Sequence, residues 1–167
     1  MKKTPLYAAL ILAIGLYSAQ TLKRNSLWLD EYAIWTDTAA KSPHWSRGRV
    51  FLGNALFNEK SIDEAITHYK AAIRIEEDAR FFGPAYAMAK QNLAIAYAEK
   101  SEYSQAIKEL SESILLHPDA EGYYNLGVLY ERMGRKDLAA REFENALKIK
   151  GDFLPAKEAL MPYGDFR

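Results

Sequence analysis

Histidine and carboxylate side chains are the residues of this 167-residue chain that could carry out acid–base or metal chemistry. The three histidines, His44, His68 and His117, are not spaced to share a helix face with another histidine or with a ligating carboxylate. Two of them adjoin prolines, Pro43 and Pro118, where a loop is expected. We therefore interpret all three as loop or helix-surface residues, and we predict no metal site.

Other catalytic chemistry also has no visible basis in the sequence. The chain has no cysteine, which excludes disulfides, zinc–thiolate clusters and thiol catalysis. It shows no glycine-rich phosphate loop, nucleophile elbow or paired-carboxylate motif, so we predict neither enzymatic activity nor a cofactor. The 22 basic residues equal the 22 acidic ones, which argues against a nucleic-acid partner. Binding of other proteins is the chemistry that remains.

One pattern that occurs three times indicates the elements that would position binding residues. In each copy a small residue is followed after twelve residues by an alanine, and after four more by a large residue: Gly53, Ala65 and Tyr69; Ala94, Ala106 and Leu110; Gly127, Ala139 and Phe143. Since residues four apart share a helix face, each copy predicts two antiparallel helices that approach closely at the small residue. The copies are 41 and 33 residues apart, so the first interval carries an insertion.

This pattern resembles the tetratricopeptide repeat (TPR), whose period is about 34 residues. The resemblance implies an all-α fold in which helix pairs stack into a right-handed α-solenoid. We place three repeats at about 46–78, 84–118 and 120–151, within a domain spanning 45–152. A short capping helix and tail at 153–167 would cover the open end of the last pair.

Local sequence signals predict where some of these helices begin and end. Ser61 followed by Glu64 is a candidate capping box at the start of a second helix. Pro84 suits the first turn of a helix, where its missing N–H has no cost. Gly134 and Gly151 are placed as C-terminal stops.

Proteins with this repeat usually bind partners on the concave surface formed by the first helices, and the resemblance implies the same surface here. Projecting the repeat pattern places these residues on it: Val50, Asn54, Phe57, Gln91, Asn92, Ile95, Tyr124 and Val128. Such a surface suits an extended or helical peptide with aromatic and aliphatic anchors. The alternative is that part of this stripe packs inside a tightly coiled solenoid.

The TPR proteins that hold the C-terminal carboxylates of heat-shock chaperones use two asparagines and three cations. Asn54 and Asn92 match the asparagine positions. The cation positions instead hold Val50, Glu121 and Asn125, and the Glu121 carboxylate would repel an anionic tail. The sequence therefore disfavours recognition of chaperone tails.

The insertion between the first two copies contains Phe81-Phe82-Gly83-Pro84. Two adjacent phenylalanines cannot both face one buried helix stripe. We expect Phe81 and Phe82 to form a packed structural bulge, or one of them to be a contact for a partner.

The N-terminal segment has the pattern of a membrane anchor. Lys2-Lys3 precedes nineteen uncharged residues, Thr4 to Leu22, which Lys23-Arg24 closes. A helix needs about 20 residues to cross a bilayer, so residues 1–24 are predicted to be a transmembrane anchor. A cleaved signal peptide is the alternative, but bulky Tyr17 would occupy a site where cleavage after Ala19 needs a small residue.

The charges that flank this segment suggest its orientation. Three positive groups precede it and two follow it, and positive residues favour the cytoplasmic side. We therefore predict a single-pass inner-membrane protein with its repeats on the periplasmic or external side.

Between the anchor and the repeats, Asn25 to Ala40 is predicted to be a helix capped by Asn25 or Ser26, so that residues 25–44 form a half-repeat next to the membrane. Trp28, Tyr32 and Trp35 would lie at the membrane surface. The junction resembles that of polytopic membrane proteins related to protein O-mannosyltransferases, through Arg24-Asn25, Trp28, Glu31, Trp35, Asp37, Lys41, Pro43 and Leu52-Gly53. This chain has one membrane segment, so the resemblance implies the topology and a scaffold role, without transferase activity.

Together these features predict a membrane-anchored TPR scaffold or adaptor. Its partners would be other proteins, recognised through a peptide segment or as membrane-protein subunits. One alternative is an accessory subunit of a membrane enzyme that processes glycans or polysaccharides. Another is a structural subunit that self-associates, because exposed solenoid ends can stack between copies.

Overall fold

The computed structural model describes residues 14–18, 20–22 and 30–164, and every regular element among them is helical. Residues 14–18 and 20–22 are helical. Eight α helices follow: α1 Glu31–Lys41, α2 Ser46–Asn58, α3 Ile62–Asp78, α4 Pro84–Glu99, α5 Tyr103–Leu116, α6 Ala120–Arg132, α7 Lys136–Ile149 and α8 Leu154–Leu160. A single 3-10 turn, Met161–Tyr163, follows α8. The helix pairs thus span residues 46–78, 84–116 and 120–149.

The helices pack as three successive pairs, α2–α3, α4–α5 and α6–α7. Each second helix also packs on the first helix of the next pair, and the first helices α2, α4 and α6 contact one another in order. Helix α1 packs on α2 as a leading half-repeat, and α8 packs on α7 as a cap. The predicted stacking of helix pairs is therefore confirmed.

The two glycines of the repeat pattern lie directly against an aromatic ring of the second helix of their pair. A Cβ added at Gly53 would lie 2.5 Å from Cε1 of Tyr69, and one at Gly127 would lie 2.5 Å from Cε1 of Phe143. Tyr69 and Phe143 are almost fully buried. At Gly53 and Gly127 the pattern thus identified a close helix contact correctly, because only a residue without a side chain leaves room for the ring.

The turn inside each pair has the same backbone geometry. Lys60, Ser101 and Gly134 adopt φ values of 66°, 61° and 73°. In the second pair the Ser101 N–H donates to the Ala98 carbonyl, and the Glu102 N–H donates to the Tyr97 carbonyl. Such paired bonds around a left-handed residue satisfy the last carbonyls of a helix. Gly134 was correctly predicted as a stop, whereas Gly151 does not adopt a positive φ.

The capping box predicted at Ser61 is wrong. Ser61 does precede α3, but its side chain makes no capping hydrogen bond. Its own N–H donates to the Leu56 carbonyl, since Ser61 also completes the turn after α2. With ψ at 62° the residue lacks the extended backbone from which a capping hydroxyl usually reaches the helix.

Helix α1 begins at Glu31 instead of at Asn25. Asp30 has an extended backbone, and its side chain accepts a hydrogen bond from the Ala33 N–H at 3.3 Å. Trp35 of α1 stacks on Phe51 of α2 with ring centroids 4.4 Å apart, and its location at the membrane surface stays a prediction. The caps Asn25 and Ser26 and the aromatic residue Trp28 lie outside the described residues.

The insertion between the first two copies is absorbed by a longer helix and by the loop that follows it. Helix α3 has 17 residues, against 14 in both α5 and α7. The loop 79–83 then leads to Pro84, which starts α4 as predicted.

A buried ion cluster joins α4 to α5. The Lys90 ammonium donates to Glu109 at 2.6 Å and to Glu112 at 2.8 Å, although Lys90 is only 4% exposed. Burial alone would lower the pKa of Lys90, but the hydrogen bonds from the ammonium to Glu109 and Glu112 outweigh it and raise that pKa overall. The Lys90 hydrogen bond lowers the pKa of Glu112 in return.

None of the helices in the described part of the chain is both long enough and apolar enough to cross a membrane. The predicted anchor, residues 1–24, falls largely on residues outside the described ranges.

Candidate partner-binding surface

The first helices α2, α4 and α6 form one face, along which three depressions adjoin. Lining the first are Phe51, Asn54, Met88, Gln91, Asn92, His117, Asp119 and Glu121, among others. Lining the second are Asn54, Phe57, Asn58, Tyr69, Asn92 and Ile95. Lining the third are Ile95, Ala98, Glu99, Tyr124, Asn125, Val128, Leu129 and Arg132, among others. Because neighbouring depressions share residues, they form one continuous surface, which we call the trough.

An amide network holds the middle of the trough. The Asn54 side-chain carbonyl accepts hydrogen bonds from the Tyr69 hydroxyl at 2.9 Å and from the Asn92 amide at 2.8 Å. Burial raises the pKa of Tyr69, so its hydroxyl stays a donor. Among the described residues the Asn54 NH2 group has no hydrogen-bond acceptor, which leaves it available to a ligand in the trough.

One end of the trough is acidic. Asp119 caps α6: one carboxylate oxygen accepts from the Gly122 N–H at 2.6 Å, and the other accepts from the Gln91 amide at 2.8 Å. Glu121 is exposed beside it and makes no hydrogen bond or ion pair with any described residue. Two carboxylates without a cationic partner therefore face this end.

The other end of the trough is apolar. Ile95 is 37% exposed and lines the surface together with Val128 and Tyr124. The Tyr124 ring is positioned by an edge-on contact with Phe153, with ring centroids 5.8 Å apart. The only charged residues in this depression, Glu99 and Arg132, are paired with each other at 3.2 Å.

Seven of the eight residues predicted on the concave surface line the trough: Asn54, Phe57, Gln91, Asn92, Ile95, Tyr124 and Val128. Contact of these residues with a partner stays a prediction. Val50 was placed there wrongly, because it is fully buried in the hydrophobic core that also contains Ala39 and Leu93. For Val50 the alternative of packing inside the solenoid is correct.

Sequence reasoning missed Asp119 as a binding-site candidate, although it lines the first depression. A signal for Asp119 was available, since aspartate after Pro118 and before an apolar run is typical of a helix N-cap. An N-cap of a first helix lies at the edge of the face on which those helices meet.

The pair Phe81 and Phe82 lies in the loop 79–83, outside the residues that line the trough. Phe81 is 62% exposed, so the expectation of a packed bulge is wrong for that ring, whereas Phe82 is 43% exposed and is partly packed against the second pair. Phe82 makes an edge contact with Tyr86, with ring centroids 5.1 Å apart, and its carbonyl oxygen lies within hydrogen-bond distance of the His117 ring. Both rings are accessible as contacts.

The histidines lie apart from one another. His44 is exposed, and His117 is next to the Phe82 carbonyl. His68 lies 3.5 Å from the Arg49 guanidinium, and burial together with that charge lowers the pKa of His68. Within residues 14–18, 20–22 and 30–164 no group of three potential ligands is arranged to hold a metal ion.

The stacked pairs and the open trough are those of an α-helical repeat protein. Residues 46–78 and residues 120–153 each match the tetratricopeptide repeat family. The first and third of the predicted repeats therefore match the tetratricopeptide repeat family.

Several characterised proteins share this similarity. The chain is 30% identical over 101 residues to small glutamine-rich tetratricopeptide repeat-containing protein 2 of Saccharomyces cerevisiae, covering 60% of this chain and 27% of that protein. It is 30% identical over 109 residues to the Hsp70-Hsp90 organizing protein of Triticum aestivum, which covers 65% of this chain and 17% of that protein. It is 27% identical over 99 residues to protein O-mannosyl-transferase TMTC1 of Mus musculus, which covers 59% of this chain and 10% of that protein. The chain thus spans only a small part of each relative's length.

Solved structures share the fold. The hetero-tetramer Cut9-Hcn1 of the APC/C superposes with a TM-score of 0.74 at 21% identity, covering 88% of this chain and 28% of that one. The first TPR of Spaghetti (RPAP3), bound to the HSP90 peptide SRMEEVD, superposes with a TM-score of 0.62 at 18% identity, covering 70% and 88%. At these identities the likeness concerns the fold alone.

Proposed function

We propose that this chain is a TPR adaptor that binds a peptide segment of a partner protein along the trough. The observation that carries this proposal is the continuous surface of amide and apolar side chains across α2, α4 and α6. An extended peptide exposes main-chain N–H and C=O groups, with which Asn54, Gln91 and Asn92 can form hydrogen bonds. Its apolar side chains can contact Ile95 and Val128.

The names of the relatives support protein recognition in general. One is the Hsp70-Hsp90 organizing protein, and one similar structure contains an HSP90 peptide. We do not extend chaperone-tail binding to this chain. Val50 is buried where that mode needs a cation, and Glu121 is an exposed carboxylate where it needs another.

Site-specific photo-crosslinking tests the trough as the binding surface. A photoreactive amino acid at Ile95, in the apolar part of the trough, is expected to capture a partner in cells. The same group at Arg141, an exposed residue of α7 outside the trough, serves as the matched control. Equal capture at both positions, or capture at Arg141 alone, would contradict this function.

We further propose that residues 1–24 anchor the chain in the inner membrane by a single pass, with the repeats outside the cytoplasm. Support comes from the nineteen uncharged residues between the flanking basic pairs. The exposed Ile14, Leu16 and Leu22 side chains are also suited to contact lipid. Intact-mass measurement and alkaline extraction test retention, and protease added to spheroplasts tests orientation. A mature chain beginning near Gln20 would contradict the anchor.

A second candidate function is an accessory subunit of a membrane enzyme that processes glycans. The similarity to an O-mannosyl-transferase favours it, although the match covers only 10% of that protein. Co-purification in mild detergent distinguishes the candidates. An adaptor would bring down varied peptides or proteins, an accessory subunit would bring down one stoichiometric membrane enzyme, and a structural subunit would yield only copies of itself.

A further inference from the structure

We infer that the trough selects a segment with a lysine or arginine at its acidic end and an aliphatic residue about three positions away. This inference rests on the proposed function, because it names the ligand chemistry of the same trough. It follows from the different character of the two ends.

The residues that line the acidic end include no lysine or arginine, and the one histidine among them, His117, has its ring nitrogen within hydrogen-bond distance of the Phe82 carbonyl. Both oxygens of Asp119 are already occupied by the Gly122 N–H and the Gln91 amide, which fix the direction of the carboxylate. Glu121, two residues further along α6, is exposed and has no partner among the described residues. A carboxylate in a first helical turn also stabilises its helix. Glu121 in addition lines the trough, where it adds to the negative charge of Asp119.

The opposite end is neutral. Glu99 and Arg132 neutralise each other there, and the surface between them and the amide network consists mostly of aliphatic and aromatic atoms around Ile95 and Val128. Potentials across interfaces are complementary, so the preferred ligand is cationic at one end and apolar at the other. An acidic segment would place its charges against Glu121 and would gain no compensating cation.

The length of α6 sets the spacing of the two ligand features. Glu121 and Val128 are seven residues apart, and an α helix rises 1.5 Å per residue, so the two ends are separated by about 10 Å. A peptide in the extended polyproline II conformation advances about 3.1 Å per residue and returns its side chains to the same side at every third residue, whereas side chains three apart on a β-strand point to opposite faces. A basic residue facing Glu121 therefore places the side chain about three positions away near Ile95 and Val128.

Binding of defined peptide pools to the full chain in mild detergent tests the inference. Three end-blocked, fluorescently labelled pools of about ten residues carry a fixed leucine, and the residue three positions before it is lysine, glutamine or glutamate. In a second set the variable residue lies three positions after the leucine, which tests a peptide bound to the trough in the opposite chain direction. The free-acid peptide SRMEEVD serves as the probe for an acidic tail. Fluorescence anisotropy at low and high salt gives the apparent Kd of each.

The lysine pool is expected to bind about tenfold more tightly than the glutamate pool in one of the two directions, with the glutamine pool between them. This difference should shrink at high salt, because salt screens exposed charges. Glu121→Gln should weaken selection, and Glu121→Lys should reverse it. Glu158→Lys, at an exposed position of α8 outside the trough, makes the same charge change and should leave the order intact. Thermal melts of each variant verify folding.

Two results would overturn the inference, and they differ in what they imply for the proposed function. If the pools crosslink at Ile95 but bind equally, or if SRMEEVD binds most tightly, the trough binds peptides without the inferred selectivity. If no pool binds and the Ile95 crosslinker captures nothing in cells, the proposed function fails as well.

Discussion

The ring of Phe143 on α7 occupies the space that a side chain at position 127 of α6 would need. A Cβ at Gly127 would lie 2.5 Å from the Phe143 Cε1 atom, well inside van der Waals contact, and Phe143 is fully buried and cannot swing into solvent. The same relationship joins Gly53 to Tyr69 in the first pair. Each contact sets how closely the two helices of its pair approach.

Gly127→Ala is therefore expected to destabilise the protein despite its better helix propensity. Alanine gains about 1 kcal/mol over glycine in a helix interior. Forcing extra volume into a packed contact costs about 1–3 kcal/mol, so we expect a net loss on the order of 1 kcal/mol, and a larger loss for Gly127→Leu. Urea unfolding measures the free energy of unfolding. At Gly151 a Cβ would meet nothing closer than 3.8 Å, so Gly151→Ala is the control and should change stability little. A gain in stability for Gly127→Ala would contradict the expectation.

Ser101→Gly is expected to stabilise the protein by about 0.5–1 kcal/mol. Ser101 adopts φ of 61°, a conformation that costs an L-residue roughly 1–2 kcal/mol and that glycine adopts without this cost. Part of the gain is offset, because glycine loses more conformational entropy on folding than serine does. The serine side chain is exposed and makes no hydrogen bond with a described residue, so its removal loses little. The matched control is the reverse change, Gly134→Ala at φ 73°, which should destabilise by a similar amount. A lower melting temperature for Ser101→Gly, or a higher one for Gly134→Ala, would be inconsistent with this backbone geometry.

Lys90→Met is expected to destabilise the α4–α5 contact by about 2 kcal/mol, because Glu109 and Glu112 would lose their charged hydrogen-bond donor. The double variant that also carries Glu109→Gln should recover part of the loss, since one unpaired carboxylate is then removed. Lys157→Met changes an exposed lysine of α8, away from this cluster, and serves as the control. Unfolding free energies measured for the set give the coupling energy. If the double variant recovered no unfolding free energy, the Glu109 carboxylate would not depend on its hydrogen bond with Lys90.

Protonation of His68 is expected to lower stability as the pH falls. The folded-state pKa of His68 is held below its usual value of 6.5 by burial and by Arg49, with a smaller opposing effect from Glu64. The unfolded chain therefore binds the proton first, and the stability present above pH 6.5 is lost as the pH falls toward the folded-state pKa. Urea unfolding at pH 7.5 and pH 5.5 measures the difference. His68→Gln should reduce this pH dependence, and an unchanged slope would assign it to other groups.

The sequence could predict the helix pairs because the spacing of small and large residues is set by helix geometry. Gly53, Ala94 and Gly127 recur at one register, and each must lie against a large residue of the following helix. The same reasoning failed at Val50. The repeat register predicts the direction of a side chain, but it does not predict whether side chains of neighbouring helices cover it. The amide and apolar residues around Asn54 and Ile95, in contrast, do line the trough as predicted.

Other features depend on contacts between residues that are distant in sequence. The burial of Lys90 requires two carboxylates on α5 to lie opposite it, and nothing within the sequence of α4 reports this. The Ser61 cap failed because the same residue completes the turn after α2, so its backbone is set by the preceding helix. The stack of Trp35 on Phe51 joins α1 to α2, and nothing within the sequence of α1 indicates it.

The order in which the helices pack has a consequence for how quickly the repeats form. From α1 to α8 the substantial contacts join helices one or two places apart along the chain. Such a topology has a low contact order, and domains rich in local contacts fold in microseconds to milliseconds. A helix pair can therefore form soon after its residues leave the ribosome, with no need to wait for the C-terminal end of the chain. The nascent chain would expose each apolar face only until the next helix is made.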